Sequence, residues 1–385
     1  MNVTFDDAPP PGHINFGIGQ PSPDLLPVEL VRTASADFLA NANPLELNYG
    51  EAQGDRRFRQ SLAGLLANES GVPVNADSLM LTSGNSQALD LVCSQFTRPG
   101  DTVFVEEPCY FLAFSILRDR GLKLVGIPTD ENGLDIDQLE QALKTVKPAM
   151  VYTIPSFHNP GGHCQSAARR QRLAELSEQH GFVIAADEVY QFLHYGGKPP
   201  VAFGTLAEEQ GTSGRTGTIL SLGSFSKILA PGMRLGWIQT TPSLVKRLVA
   251  NGVVNSGGSL NHFSSHVVRH AIDLGLQGTH LHTLRSTYGK RVEAMDAALK
   301  QYLDDRVSWT RPSGGYFFWL ECKSDIDTTE LRRRAAQFKT GFQAGPVFSV
   351  SGQFKNCLRL SFAHYSQSDI VEGVRRLAEL MRSAA

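Results

Sequence analysis

Cysteine is scarce in this chain. There are five in 385 residues (Cys93, Cys109, Cys164, Cys322 and Cys357), scattered, odd in number and never in C-x-x-C spacing. That excludes a disulfide framework and a thiolate zinc ribbon, and it points to a reducing, cytoplasmic setting. Long apolar runs are missing too; none reaches the length of a membrane-spanning helix. Met1 to Pro11 holds two acids, three prolines and no basic stretch, so it does not read as an export signal. There is no excess of positive charge. Lys plus Arg is 36 against 38 for Asp plus Glu, a net charge of −2, which argues against a dedicated nucleic-acid binder. Repeats and low-complexity linkers are absent. His262, His266 and His270 fall at i, i+4, i+8 on an expected helix, but a His-Glu-x-x-His pattern is lacking. They read as a structural or interface face, and no metal site is expected. The run Arg332–Arg334 reads as a solvated helix face.

What is present is a globular composition, 41% hydrophobic and 19% charged. Short apolar runs alternate with amphipathic ones. Thr102–Val105, Leu122–Ile127, Ala149–Ile154, Phe182–Ala186, Thr218–Leu222 and Leu235–Gln239 read as strands, with helices such as Ser86–Phe96 and Ser166–His180 between them. This is the pattern of an α/β fold with a mostly parallel central sheet flanked by helices. Leu260–Leu274 and His280–Tyr302 read as long helices, followed by mixed strands and helices. The expected division is an N-terminal arm (1–30) packing with the small domain, a large domain (31–275) and a smaller α+β C-terminal domain (276–385).

Ligands of such sheets bind outside the carboxyl ends of the strands, so the residues there matter most. In Ser221–Trp237 (SLGSFSKILAPGMRLGW), Lys227 follows a strand directly, with Ser224 and Ser226 before it and Arg234 after it. An amine that forms a Schiff base must be positioned and partly unprotonated. The two hydroxyls and the guanidinium suit a phosphate. Together they point to pyridoxal 5'-phosphate. In AADEVY, Asp187 is the first polar residue after an apolar strand. A carboxylate there can hold the proton on a pyridinium nitrogen. Glu188 points the other way if the strand period continues. Tyr190 lies three residues on, within reach of a cofactor's phenolic oxygen. The run Leu79–Leu91 reads as strand, glycine turn and helix, with backbone N–H groups near Asn85 and Ser86 forming an anion site.

These pieces resemble the class I/II aminotransferases of fold type I. The landmarks run in order along more than 300 residues: Tyr49-Gly50 with Gly54, Ser-Gly-Asn-Ser-Gln at 83–87, Glu107-Pro108-x-Tyr110, Asn159-Pro160, Asp187-x-x-Tyr190, Ser224-x-Ser226-Lys227 with Arg234, and Arg359 in Leu-Arg-Leu-Ser-Phe. The resemblance implies a role for each. Lys227 holds the cofactor and moves the substrate's α-proton. Asp187 pairs with the ring nitrogen, and Tyr190 and Asn159 bond the phenolic oxygen. Tyr110 stacks on the ring. Asn85, Ser86, Ser224, Ser226 and Arg234 hold the phosphate, with Tyr49 reaching in from a partner subunit of a homodimer. Arg359 clamps the α-carboxylate, assisted by Asn159 and the backbone at Ile18 and Gly19. The six residues between Lys227 and Arg234, with Gly-Gly-Tyr-Phe at 314–317, are most similar to the 2-aminoadipate/kynurenine-type branch. Two positions depart from the family pattern: Gly161 stands where Thr or Ser is usual after Asn-Pro, and Asn85 where a small hydroxyl is common.

The implied activity is transamination between an α-amino acid and a 2-oxo acid, with no nucleic-acid or membrane partner. Phe16, Tyr316 and the segment Val254–Leu260 are the expected pocket walls. Other chemistry of the same cofactor (β-lyase, decarboxylase, cyclase) remains an alternative. Two rivals fit less well. A serine acyl-transfer enzyme is mimicked by Ser224-x-x-Lys227 and Lys339-Thr340-Gly341, but Ser-Asp-Asn is missing. A cofactor-sensing regulator needs an added DNA-binding domain, and the fold already uses almost all of this chain.

Overall fold

In the computed structural model, residues 9–197, 199–214, 217–323 and 326–383 are described. Residues 1–8 of the expected arm lie outside them. The chain enters through a short strand, β1 (Ile14–Asn15). An eight-stranded sheet follows, made of β2 (Leu79–Thr82), β3 (Thr102–Glu107), β4 (Lys123–Asp130), β5 (Gly133–Leu134), β6 (Met150–Thr153), β7 (Val183–Asp187), β8 (Ile219–Ser224) and β9 (Gly236–Gln239). Their order is β2-β9-β8-β7-β6-β3-β4-β5. The pairs β3/β4, β3/β6, β6/β7 and β7/β8 are parallel. Only β9 and β5 run against the rest.

Alternate side chains of these strands feed two cores, as the period of two requires. Val103, Val105, Tyr152, Ala185, Leu220 and Leu222 pack on one face with Leu89 and Val92 of the helix Asn85–Phe96. Phe104, Val151, Ile184, Ala186 and Ile219 pack on the other with Leu173, Leu176 and Phe203. The covering helices have local start and stop signals. Ser166 caps Ala167–His180, which ends at Gly181 in the left-handed region (φ 75°).

Beyond residue 275 the helix Leu276–Leu303 buries Leu281, Leu284, Tyr288, Val292, Met295 and Leu299, a stripe at helical spacing. It leads to an antiparallel sheet of β10 (Val307–Trp309), β11 (Phe317–Cys322), β13 (Gln343–Ala344) and β14 (Cys357–Ser361), in the order β10-β11-β14-β13. The strand β12 (Thr340–Gly341) pairs in parallel with β1, so the N-terminal segment is tied to the C-terminal part of the chain. Phe16, expected as a pocket wall, is fully buried instead; its ring meets Tyr365, and Gly373 packs against it. Among the described residues no helix is long and apolar enough to cross a membrane.

Candidate active site

Because β2 and the parallel strands share one direction, their carboxyl ends (Thr82, Glu107, Thr153, Asp187 and Ser224) lie along one edge of the sheet. The chemistry-bearing residues follow these ends or close them.

Asp187 is the last residue of β7 and is buried. Its Oδ2 accepts from the Tyr152 hydroxyl at 2.7 Å, while Oδ1 is buried without a partner. Burial lifts its pKa to about 6, against the pull of Tyr152, the Val189 backbone and Lys227. Lys227 lies in the turn after β8 and is half-buried, with Nζ donating to the Gly19 carbonyl at 3.2 Å. The Tyr316 and Tyr190 rings lie 5.4 and 6.0 Å from this amine. Burial, followed by the Arg359 charge, brings the Lys227 pKa down to about 8. An amine so placed is partly free of its proton near neutral pH, which a carbonyl-binding lysine requires.

Tyr190 is buried, its ring edge-on to Tyr316 and Phe317. Tyr110 caps the start of the helix Phe111–Asp119, and burial together with Asp187 pushes its hydroxyl up to about 12. Glu188 does turn away, as the strand period implies. It is buried on the other side with the Ser221 hydroxyl (2.6 Å) and the Phe203 backbone N–H (3.0 Å).

The anion site forms where the helix Asn85–Phe96 starts. Gly84, its N-cap, has φ 81°, and no side chain caps the helix. The backbone angle favours glycine here, and a Cβ on Gly84 would stand 2.7 Å from Arg234 Nη2 and push the guanidinium aside. Arg234 is itself in the left-handed region (φ 47°), with its carbonyl held by the Asn261 amide. Ser224 is buried and accepts from the Ser226 N–H at 3.0 Å; Asn85 Oδ1 is buried without a partner, and Ser86 is exposed. A helix N-terminus beside a guanidinium attracts a phosphate.

Arg359 projects from β14 and is buried. Its Nη1 donates to Asn159 Oδ1 and its Nη2 to the Gly17 carbonyl, each at 2.9 Å, while Nε has no partner. The guanidinium lies 4.1 Å from the Phe317 ring and 5.1 Å from Phe348. Burial lowers its pKa to about 10, so it stays charged at neutral pH. The backbone expected to assist was Ile18–Gly19. The structure puts the Gly17 carbonyl on Arg359 and the Gly19 carbonyl on Lys227, while Ile18 N–H turns back to Asn15.

Tyr49 is not brought to this edge by its own chain. It is 85% exposed and lines a separate cavity of about 270 Å³ with Glu46, Asp55, His262 and His266. The histidine stripe beside it packs inward. His262 Nε2 meets His266 Nε2 at 3.2 Å, His266 stacks on Phe38, and His270 pairs with Asp37 at 2.6 Å. Arg332 departs from the solvated face expected of it; it is half-buried, and burial lowers its pKa. Tyr316, expected as a pocket wall, is fully buried, with its ring 5.4 Å from the Lys227 amine.

Sequence reasoning missed Tyr152, Gly17, Phe317 and Phe348. Tyr152 is placed by strand register: it pairs with Ala185, two residues before Asp187. The other three act from elements whose approach to the sheet edge only the fold sets. The unpartnered Asp187 Oδ1, the uncapped helix start beside Arg234 and the lowered Lys227 fit pyridoxal phosphate: a basic ring nitrogen, a phosphate and an aldehyde.

Residues 11–377 match the family model described as aminotransferase class I and II. The aromatic-amino-acid aminotransferase 1 of Thermococcus litoralis is 34% identical over 375 residues, covering 96% of this chain and 88% of that one. The 2-aminoadipate transaminase of Thermus thermophilus is 32% identical over 374 residues, covering 97% and 91%. A crystal structure of LysN, an α-aminoadipate aminotransferase of the same species complexed with N-(5'-phosphopyridoxyl)-L-leucine, superposes with a TM-score of 0.86. It is 31% identical and covers 97% of this chain and 93% of its own.

Proposed function

The chain belongs to the class I and II aminotransferases, and on that premise we propose that it moves an amino group between an α-amino acid and a 2-oxo acid with pyridoxal phosphate as cofactor. The observation that carries this reading is the triangle of Lys227, Asp187 and Arg359 at one sheet edge: a lowered amine, a buried carboxylate with a free oxygen and a buried guanidinium fork. The relatives support a range that takes in aromatic side chains or 2-aminoadipate.

Pyridoxal phosphate, when bound, supplies a ring that accepts electron density from the substrate's Cα. The protein does the rest. Lys227 would hold the cofactor at rest and would move the proton from the substrate's Cα to the cofactor's C4′. Asp187 Oδ1 keeps the ring nitrogen protonated. Tyr190 and the Asn159 amide bond the phenolic oxygen, and Tyr110 covers one ring face. Arg234, Ser224, Ser226, Asn85 and Ser86 hold the phosphate. Arg359 grips the α-carboxylate through its fork, on the same residues in both halves of a ping-pong cycle.

The proposed assembly is a homodimer in which Tyr49 serves the partner's site. Support comes from the exposed large apolar side chains Leu45, Leu47, Tyr49, Val253 and Phe263. The free cysteines support a cytoplasmic setting. The division at residues 30 and 275 is proposed from the two sheets and the β1–β12 pairing.

The test is a donor panel. Purified protein loaded with pyridoxal phosphate receives phenylalanine, tyrosine, 2-aminoadipate or an aliphatic amino acid, with a 2-oxo diacid as acceptor. Formation of the matching 2-oxo acid and new amino acid in equal amounts supports the reading. Release of ammonia or carbon dioxide without amino transfer would assign another reaction of the same cofactor.

A further inference from the structure

Under the Asn159 turn lies a buried pair that none of these roles uses. Glu106, next to last in β3, is 1% exposed, and His158 is fully buried. Glu106 Oε1 accepts from the Thr153 hydroxyl at 2.6 Å and Oε2 from the Ile154 N–H at 2.7 Å. His158 Nε2 stands 3.1 Å from Oε2, somewhat off the ideal hydrogen-bond line. On its other side, His158 Nδ1 accepts from the Gly161 N–H at 3.0 Å. A ring nitrogen that accepts carries no proton, so the imidazole N–H sits on Nε2 and faces the carboxylate. Burial alone would raise Glu106, but its contacts with His158, Thr153 and Ile154 outweigh that and hold it below the usual carboxylate value. The Cys109 sulfur lies nearby, its thiol pushed well up by burial, and Glu106 and His158 with their partners form a hydrogen-bonded knot.

The knot braces one turn. His158 N–H donates to the His163 carbonyl at 2.9 Å, and Gly162 N–H to the His158 carbonyl at 2.8 Å. The His163 ring stacks on His158 with centroids 4.5 Å apart and planes 12° from parallel. A Cβ at residue 161 would stand 2.5 Å from His163 Nδ1 and 3.1 Å from His158 Nδ1. The stacked rings thus account for glycine at 161, where the family pattern has a hydroxyl residue. Asn159 sits inside this turn. Because arginine only donates, the bond from Arg359 fixes Oδ1 toward the guanidinium and leaves the amide N–H groups for an acceptor on the cofactor side.

We propose that Glu106 and His158 are positioning residues for Asn159, holding the carboxamide that orients Arg359. The inference rests on the roles given to Asn159 and Arg359 above. The experiment uses the protein loaded with pyridoxal phosphate and two readings: the pH midpoint of its visible absorption band, and KM against kcat for the amino donor. His158→Asn keeps a short acceptor for Gly161 but loses the N–H to Glu106. Glu106→Gln keeps the shape and loses the charge. Each should shift the band midpoint in the same direction as Asn159→Ala and raise the donor KM roughly tenfold, with a smaller change in kcat. Either one added to Asn159→Ala should change neither reading further. Full additivity in the double variants, or lowered thermal stability with an unmoved midpoint, would make the pair merely structural and overturn the proposal. If Asn159→Ala itself moves neither reading, the role of Asn159 fails and this inference with it. Should His158→Asn not fold, Gly161→Ala presses on both rings from outside, and an unmoved midpoint there counts against the proposal equally.

Discussion

Replacing Asp187 with asparagine separates its chemistry from its stability. A carboxyl raised from 3.8 to about 6 by burial binds more protons in the folded than in the unfolded chain. Its contribution therefore falls as pH rises through that window, and the loss is complete above it. The loss amounts to about 1.6 kcal/mol at pH 5 and about 3 kcal/mol at pH 8. Asparagine cannot ionise, so it escapes this loss. It keeps an oxygen for the Tyr152 hydroxyl and puts an amide N–H₂ where the unpartnered Oδ1 stands. A buried unmatched donor costs about 1 to 3 kcal/mol, independent of pH. The ligand-free variant should gain about 1.4 kcal/mol on wild type between pH 5 and pH 8, whatever that fixed cost proves to be. Urea unfolding of both ligand-free proteins at the two pH values measures this. With cofactor bound the wild type should be the more stable of the two, because only the carboxylate pairs with a protonated ring nitrogen, and turnover of the variant should be lower by roughly a hundredfold or more. An equal difference between the proteins at both pH values would refute the reasoning about the buried charge. Turnover within a few-fold of wild type would refute the pairing.

Lys227→Ala should fold and retain phosphate-mediated affinity but lose turnover; borohydride reduction of the wild type followed by peptide mapping should place the pyridoxyl group on Lys227, and a label on another lysine rejects the assignment. Arg359→Lys should lose the two-pronged bonding to Asn159 and Gly17 while keeping the charge, lowering kcat/KM for amino and 2-oxo acids by roughly 10- to 100-fold. Amines without a carboxylate should suffer far less, and equal losses would reject the clamp. Gly84→Ala should weaken cofactor retention, since the added carbon meets Arg234 at 2.7 Å and the backbone angle is unfavourable; dialysis against phosphate, with unchanged retention, would count against the anion site. A Lys227→Ala chain mixed with a Tyr49 variant of impaired activity should regain roughly a quarter of wild-type activity per subunit if Tyr49 serves the partner, because a mixed dimer has one intact site. Verified exchange without recovery places Tyr49 elsewhere.

The local pieces were legible in the chain alone. Apolar runs of the right length named the central strands to within a few residues, because strands buried on both faces must be continuously apolar. Lys227, Asp187 and the Gly84 turn were legible for a related reason: polar residues directly after such runs are carried to the ligand edge of the sheet. The period of two even put Glu188 on the opposite side from Asp187. The segments that come from far along the chain were not legible in this way. That Arg359 is met by Gly17 rather than Ile18, that Phe317 and Phe348 flank its guanidinium, and that Phe16 is core depend on how the small sheet and the arm meet the large one. Tyr152 and His158 show the same limit at short range. Each sits in or beside an apolar strand where its hydrogen bond is invisible, and only the register of β6 against β7, or the closing of a turn onto Glu106, gives it a partner. Local patterns fix which atoms are available; packing decides which of them meet, because a hydrogen bond or ion pair depends on separations of a few tenths of an ångström between residues up to 364 positions apart.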